Sequence, residues 1–282
     1  MGRYINELKQ VAEKLKDADA VLIGASNGLS ITEGLHLFAD NTAFEKLFGD
    51  FKRKYGLSCI LHGMGAQWQS EEEKWAFWSR LINRYCAEYR ETQVMSDLKS
   101  LVKDKDYFII TSNGECHFEL CGFAPERIYE IEGNWLSMQC SAACHTALYP
   151  TLELAKKLAS EESGGRVPSE SVPRCPRCGA PMSIHMVGGN FIPDTDSQRR
   201  AAEFLEKYHN KRLVVLELGI GPRNRLIKAP LMQLTAEEPQ ATYVTINLGE
   251  VYIREDIKDK SFGLDCALSE MLAALRTEYE KA

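Results

Sequence analysis

Four short segments of the chain are apolar without alternation: ADAVLIG (18–24), YFIIT (107–111), LVVLELG (213–219) and TYVTINL (242–248). A strand with one wet face alternates polar and apolar residues, whereas a strand covered on both faces has no polar side to show. Runs of this kind predict a parallel sheet sandwiched between helices. Helical spacing supplies the covers, over 3–16, 71–86, 92–103, 195–208 and 266–280. In the second of these, Trp75, Trp78, Ile82 and Tyr85 share one side. Strand–helix alternation with right-handed crossovers gives an α/β fold with a doubly wound parallel (Rossmann-like) sheet. Such sheets bind ligands beyond the carboxyl ends of their strands. The chemically interesting loops of this chain all follow a strand end.

At 282 residues the chain reaches the upper size of one domain, and a large domain with a smaller satellite is expected. A formal charge of -6 leaves no electrostatic footprint for nucleic acid or anionic lipid. No apolar run approaches the roughly 18 residues of a membrane helix. The start, MGRYINELKQVAEKL, lacks the apolar stretch of a secretory signal; Tyr4, Leu8, Val11 and Leu15 fall instead at helical spacing. Nine cysteines, an odd number without such a signal, point to a reducing cytoplasm in which clustered thiols bind metal.

Three strand ends offer polar or glycine-rich loops. In GASNGLSITEG (24–34), Gly24 and Gly28 permit close backbone approach, and the helix that follows presents amides to a phosphate. ELGIGPRNR (217–225) is a second glycine-punctuated loop, and in INLGE (246–250) Asn247 and free backbone suit an adenosine. Together they describe a cofactor crevice without identifying the cofactor. Cys140 and Cys144, followed by Cys175 and Cys178, have the paired spacing that lets four thiolates close on one tetrahedral zinc. With no open coordination position, such a metal is structural. The Gly-, Ser- and Glu-rich stretch 160–171 between the pairs reads as a flexible connector. His145 and His185 read as surface or core residues, and Cys59, Cys86, Cys116, Cys121 and Cys266 as small buried hydrophobes.

In this order the pieces resemble the sirtuins. Ser26-Asn27-Gly28-Leu29-Ser30 lies where that family has G-A-G-x-S, Thr111-Ser112-Asn113 where it has T-Q-N, and Ile246-Asn247 on its adenosine-side strand. Less common segments resemble the divergent microbial branch linked to macrodomains, class M: EEKWAFWSRLINRY (72–85), GNWLSMQCSAAC (133–144), CPRCGAPM (175–182) and LELGIGPRNRLIKAPL (216–231). The cluster Trp75, Trp78, Ser79, Arg80 is the most specific of them. The resemblance implies a Rossmann-like NAD-binding domain formed by 1–47, 99–138 and 208–282, with a helical insertion, 48–98, and a zinc-binding module, 139–207, making the small domain. It also implies NAD as co-substrate, structural zinc, and transfer of ADP-ribose to an acceptor protein, in class M a lipoylated H-like carrier. Removal of an acyl group is the alternative chemistry. Asn113 and Glu132 take the catalytic positions. Ser26, Asn27, Gly28, Ser30, Glu33, Asn113, Glu115, Gly219, Gly221, Asn224, Asn247, Leu248 and Cys266 take the cofactor positions.

The chain departs from the pattern at four places. Glu132 stands where sirtuins have a histidine base and class M a glutamine; a carboxylate accepts a proton, which an amide does not at neutral pH. His185-Met186-Val187 replaces an N-x-R stretch, so an arginine is missing. Ser26-Asn27 replaces Gly-Ala, and Glu115 replaces an aspartate. Two further readings stay open on these grounds: a weakened NAD or ADP-ribose sensor or scaffold, and a zinc-stapled structural protein. Gly63, Gly65 and the Trp-rich helix are candidates for an acceptor channel.

Overall fold

The computed structural model describes residues 4–282; Arg3, where the first helical stretch was expected to start, lies outside them. The strands are β1 (Ala20–Ala25), β2 (Asp106–Thr111), β3 (Ile128–Glu130), β4 (Gly133–Cys140), β5 (Tyr149–Pro150), β6 (Met182–Met186), β7 (Leu213–Leu218), β8 (Thr242–Ile246) and β9 (Ser261–Leu264). Six of them form one parallel sheet in the order β3-β2-β1-β7-β8-β9. The order reverses between β1 and β7, which places the ligand crevice beyond their carboxyl ends.

Both faces of this sheet are covered, as the unbroken apolar strands require. Val21, Ile23 and Ala25 of β1 join a core made with helices Ile5–Asp17, Gln93–Val102 and Leu268–Lys281. Ala20 and Leu22 point the other way, into a core with helices Thr195–Lys207 and Lys228–Glu237. The period-two alternation of strand side chains divides one hydrophobic sequence between two layers.

A third core belongs to the small domain. Phe44, Phe48 and Phe51 of helix Thr42–Tyr55 meet Trp75, Phe77 and Trp78 of helix Glu71–Ile82, together with Trp135 and the thiols of Cys140 and Cys175. An antiparallel sheet, β5-β4-β6, walls this core. The helix ending at Ile82 runs on into a π-helical turn, Asn83–Ala87. The stretch read as a flexible connector is instead tied down. Arg166 pairs with Glu73 at 2.8 Å, Val167 is buried, and its amide bonds Glu72.

At the switch point two loops touch backbone to backbone. The Gly28 amide donates to the Gly219 carbonyl at 2.9 Å, and Gly219 has φ +62, a region that disfavours any side chain. A Cβ on Gly28 would lie 2.5 Å from the Gly219 Cα. Gly28→Ala is therefore expected to cost about 2–4 kcal/mol, the range of strained or overpacked sites. Gly65→Ala, whose Cβ meets nothing nearer than 3.9 Å, should stay within about 0.5 kcal/mol. Denaturant midpoints of the two variants measure the difference.

Candidate active site and metal centre

The ends of β1 and β2 are joined to each other by hydrogen bonds around Asn113. Thr111 ends β2 and holds the Ala25 carbonyl through Oγ1 at 3.1 Å. That oxygen also accepts from the Asn113 amide at 3.0 Å. Asn113 Nδ2 donates to the Ser26 carbonyl at 3.1 Å. The residue is thus held once through its backbone amide and once through its side chain. Its side-chain Oδ1 is buried with no partner among the described residues, an unusual state for an acceptor and one that a ligand hydroxyl or water would relieve.

Glu132 follows β3, and its carbonyl accepts from the Val187 amide at 2.8 Å. Burial raises its pKa. Gly133 then turns the chain at φ +80 into β4. The Trp135 amide donates to the Gly114 carbonyl at 2.8 Å, so the loop after β2 is tied to β4. Beside these loops lies a cavity of about 680 Å³, lined by Asn27, Ser112 and Gly114 from the loops after β1 and β2 and by Glu132, Trp135 and Met186 from the chain around β4 and β6. Its size suits a small-molecule site. Of the residues expected to line an acceptor channel, Gly65 and Trp78 reach this cavity. Gly63 instead packs against the Phe77 ring.

Several expected cofactor residues have other commitments. The Ser26 hydroxyl bonds Ser112 Oγ at 3.0 Å. Ser30 donates to Glu115 Oε1 at 2.5 Å, both buried, and burial raises the Glu115 pKa. Glu33 accepts from Tyr89 at 2.6 Å and Thr92 at 2.5 Å, and its side chain is buried. Gly24 is approached by the Leu231 side chain rather than left open. Gly221 faces the Glu250 carboxylate. Asn224 accepts from the Ile227 amide at 2.7 Å, just before helix Lys228–Glu237. Asn247 Nδ2 donates to Ile220 and Glu250 carbonyls at 3.4 and 3.1 Å, stitching the two rim loops. Leu248 is exposed, and the half-buried Cys266 donates to Glu270.

Two buried carboxyls near the site carried no signal in the sequence. Glu217 sits under the second glycine loop, paired with Lys228 Nζ at 2.5 Å and accepting from Thr245 and Tyr243. Glu130 closes β3 and accepts from Asn134 Nδ2 at 2.6 Å; burial pushes its pKa up to about 8.

The four thiols meet. Cys140, Cys144, Cys175 and Cys178 have sulfurs within 4.8 Å of one another. Two of the separations, Cys140–Cys178 and Cys144–Cys175, are 3.6 Å. Tetrahedral zinc with bonds of about 2.3 Å spaces thiolates by about 3.8 Å, so the set fits zinc. A disulfide would need about 2 Å. His145 Nδ1 lies 3.1 Å from the Cys144 sulfur while Nε2 meets the Tyr149 hydroxyl at 2.8 Å. It is placed to orient a thiolate from outside the ligand set.

No family model matches the chain. Among solved structures it is similar to a Sir2 homologue in complex with NAD, with TM-score 0.69 and 14% identity over 97% of this chain and 94% of that one. A Sir2 homologue bound to ADP-ribose gives TM-score 0.65 at 14% identity, over 98% and 96%. The chain has the sirtuin fold. In sequence it is 29% identical to a protein ADP-ribosyltransferase of Staphylococcus aureus, over 99% of this chain and 91% of that protein. A probable bifunctional ADP-ribose hydrolase/ADP-ribosyltransferase of Fusarium oxysporum f. sp. cubense is 28% identical over 76% of this chain; the match spans 37% of that longer protein. No helix among the described residues is long and apolar enough to cross a membrane.

Two outcomes follow from the buried groups of this sirtuin fold. Glu130 titrates near 8 folded against an ordinary 4.5. The folded state therefore holds a proton that the unfolded chain has lost, and stability falls as pH rises between about 5 and 8, by up to about 5 kcal/mol. Glu130→Gln removes that slope: thermal melts should match wild type at pH 5 and exceed it at pH 8. Chelation should release about one zinc per chain, lowering the melting temperature by several degrees or more. Cys175→Ser should reproduce that loss without chelator, by metal analysis and calorimetry.

Proposed function

We propose that the chain is an NAD-dependent protein ADP-ribosyltransferase, breaking the nicotinamide–ribose bond and passing ADP-ribose to a protein acceptor. One observation carries this reading. Glu132, a carboxylate of raised pKa, lines one cavity with Ser112 and Gly114, and between those two stands Asn113, whose buried side-chain oxygen is unpartnered among the described residues. The likeness of nearly the whole chain to a protein ADP-ribosyltransferase supports it.

NAD supplies a glycosidic bond whose leaving group, nicotinamide, is neutral. Asn113, held through Nδ2 by Ser26, presents Oδ1 to a ribose hydroxyl or to an ordered water. As positive charge grows at the anomeric carbon, Glu132 stabilises it across a partly dry cavity and takes the acceptor's proton. Ser26, Asn27, Gly28 and Ser30 line the first strand end. Gly219, Gly221, Asn224, Asn247 and Leu248 form the adenosine rim, with Glu33, Glu115 and Cys266 acting from behind. The Ser26 hydroxyl is absorbed by Ser112, so the departure at that position leaves a phosphate its room. Val187, 56% exposed, stands where class M chains carry an arginine.

The acceptor is a lipoylated or acylated carrier protein in the cytoplasm. The apolar side of the cavity, with Leu37, Leu61 and Trp78, also suits an acyl arm, and acyl removal is the second reading. Nicotinamide release and ADP-ribose incorporation, measured on zinc-loaded protein, separate these. Asn113→Ala should lower release by about 100-fold or more with zinc content unchanged. Glu132→Gln should lower transfer by about 100-fold and abolish the acid limb of its pH profile, which in wild type falls above the ordinary glutamate range. Stabilisation by NAD without nicotinamide release would make the protein a sensor instead.

A further inference from the structure

Among the described residues the cavity lining holds one carboxylate, Glu132, and one cation, Lys74. Lys74 rises from the first turn of helix Glu71–Ile82. Its Nζ lies 3.4 Å from the Met182 carbonyl and 3.1 Å from Glu71 Oε2. The side chain is 20% exposed, neither core nor open surface. Polar residues surround this end of the cavity, among them Gln139, Ser141, Ser183 and Asn190.

The other end is fixed by the bond from the Val187 amide to the Glu132 carbonyl. Met182 begins β6 and Val187 follows its end, so five strand steps, about 16 Å of backbone, separate the carbonyl that meets Lys74 from the amide that bonds the Glu132 backbone. Trp78, Trp135, Ile184 and Met186 supply apolar wall between them. The exposed Val187 is a lining residue as well and opens the cavity beside Glu132, whose carbonyl its amide bonds.

A charge facing an apolar cavity is costly unless a partner uses it. The partner in place is Glu71, itself 34% exposed and outside the lining. A water-screened pair of this kind contributes little and yields to a competing anion. Glu132 works in the opposite sense, repelling an anion held at the mouth. The two charges together admit an acceptor arm in one direction.

We propose that the cavity takes a pendant acceptor arm of about a dozen bonds, the number an extended chain needs for this span, with its far end anionic and bound by Lys74. The proposal rests on the reading of this cavity as the acceptor site. Two lysine peptides test it, one acylated on the side chain with adipic acid and one with the half-amide of that acid. They match in length and differ in the terminal charge. Calorimetry on zinc-loaded protein with ADP-ribose present should show the carboxylate binding about tenfold tighter, the effect of one partly desolvated ion pair. Lys74→Met should bring the two to parity, and Lys74→Arg should keep the preference. Equal binding by wild type, binding of neither peptide, or a preference that survives Lys74→Met overturns the proposal. Nicotinamide release measured on the same samples reports on the transfer reading separately, because the peptide preference needs no turnover.

Discussion

The contact between Gly28 and Gly219 is the constraint on which the site depends. It joins the ends of β1 and β7 where the strand order reverses, through the 2.9 Å bond between the two backbones. Neither position tolerates a side chain, since a Cβ on either would stand within 2.6 Å of the other's backbone. The contact also consumes the Gly28 amide that an isolated phosphate loop would offer. What remains for a ligand lies to either side: the rim loops stitched by Asn247, and the amide of Asn113 set by Ser26 and Thr111.

Carboxylates around the site divide into two kinds. Glu33, Glu115 and Glu217 each have hydroxyl donors, and Glu217 a lysine as well. Such groups hold loops at the cost of desolvation, and they specify geometry more than they stabilise. Glu132 differs: no side-chain hydrogen bond accounts for its raised pKa, which comes from burial alone. A carboxyl with no internal duty at the edge of a cavity is available for chemistry. Glu130, two residues earlier, is the contrasting case, its raised pKa keeping it protonated inside the fold at neutral pH.

The large sheet was legible because its strands are apolar on both faces, a pattern that survives without knowledge of partners. β3 and β9 were not, since edge strands of three or four residues such as Ile128–Glu130 and Ser261–Leu264 carry too few positions for a period to show. The small sheet was missed for a related reason. β4 reads as polar and apolar in no clean register, and its pairing with β6 is irregular between Asn134 and Met138. The cysteines were legible because metal geometry fixes their spacing locally. The cavity was not, because Lys74, Ser112, Trp135 and Met186 are far apart in sequence and come together only through tertiary packing. The connector 160–171 misled because its composition is that of a loop, while Arg166 and Val167 are paid for by distant partners, Glu72 and Glu73.

Metal centre and cavity are physically one structure, because β4 serves both. Its first residue, Gly133, follows Glu132, and its last, Cys140, is one of the four thiols. Trp135 and Gln139 line the cavity on the way. Eight residues of strand span about 25 Å, and a strand of that length with only β5 and β6 beside it needs its far end fixed. Cys140 supplies that fixed point, and Met182, its β6 partner, also offers the carbonyl that meets Lys74. A zinc that does no chemistry would thus still set the position of both charges in the cavity, holding one wall of the site by its end.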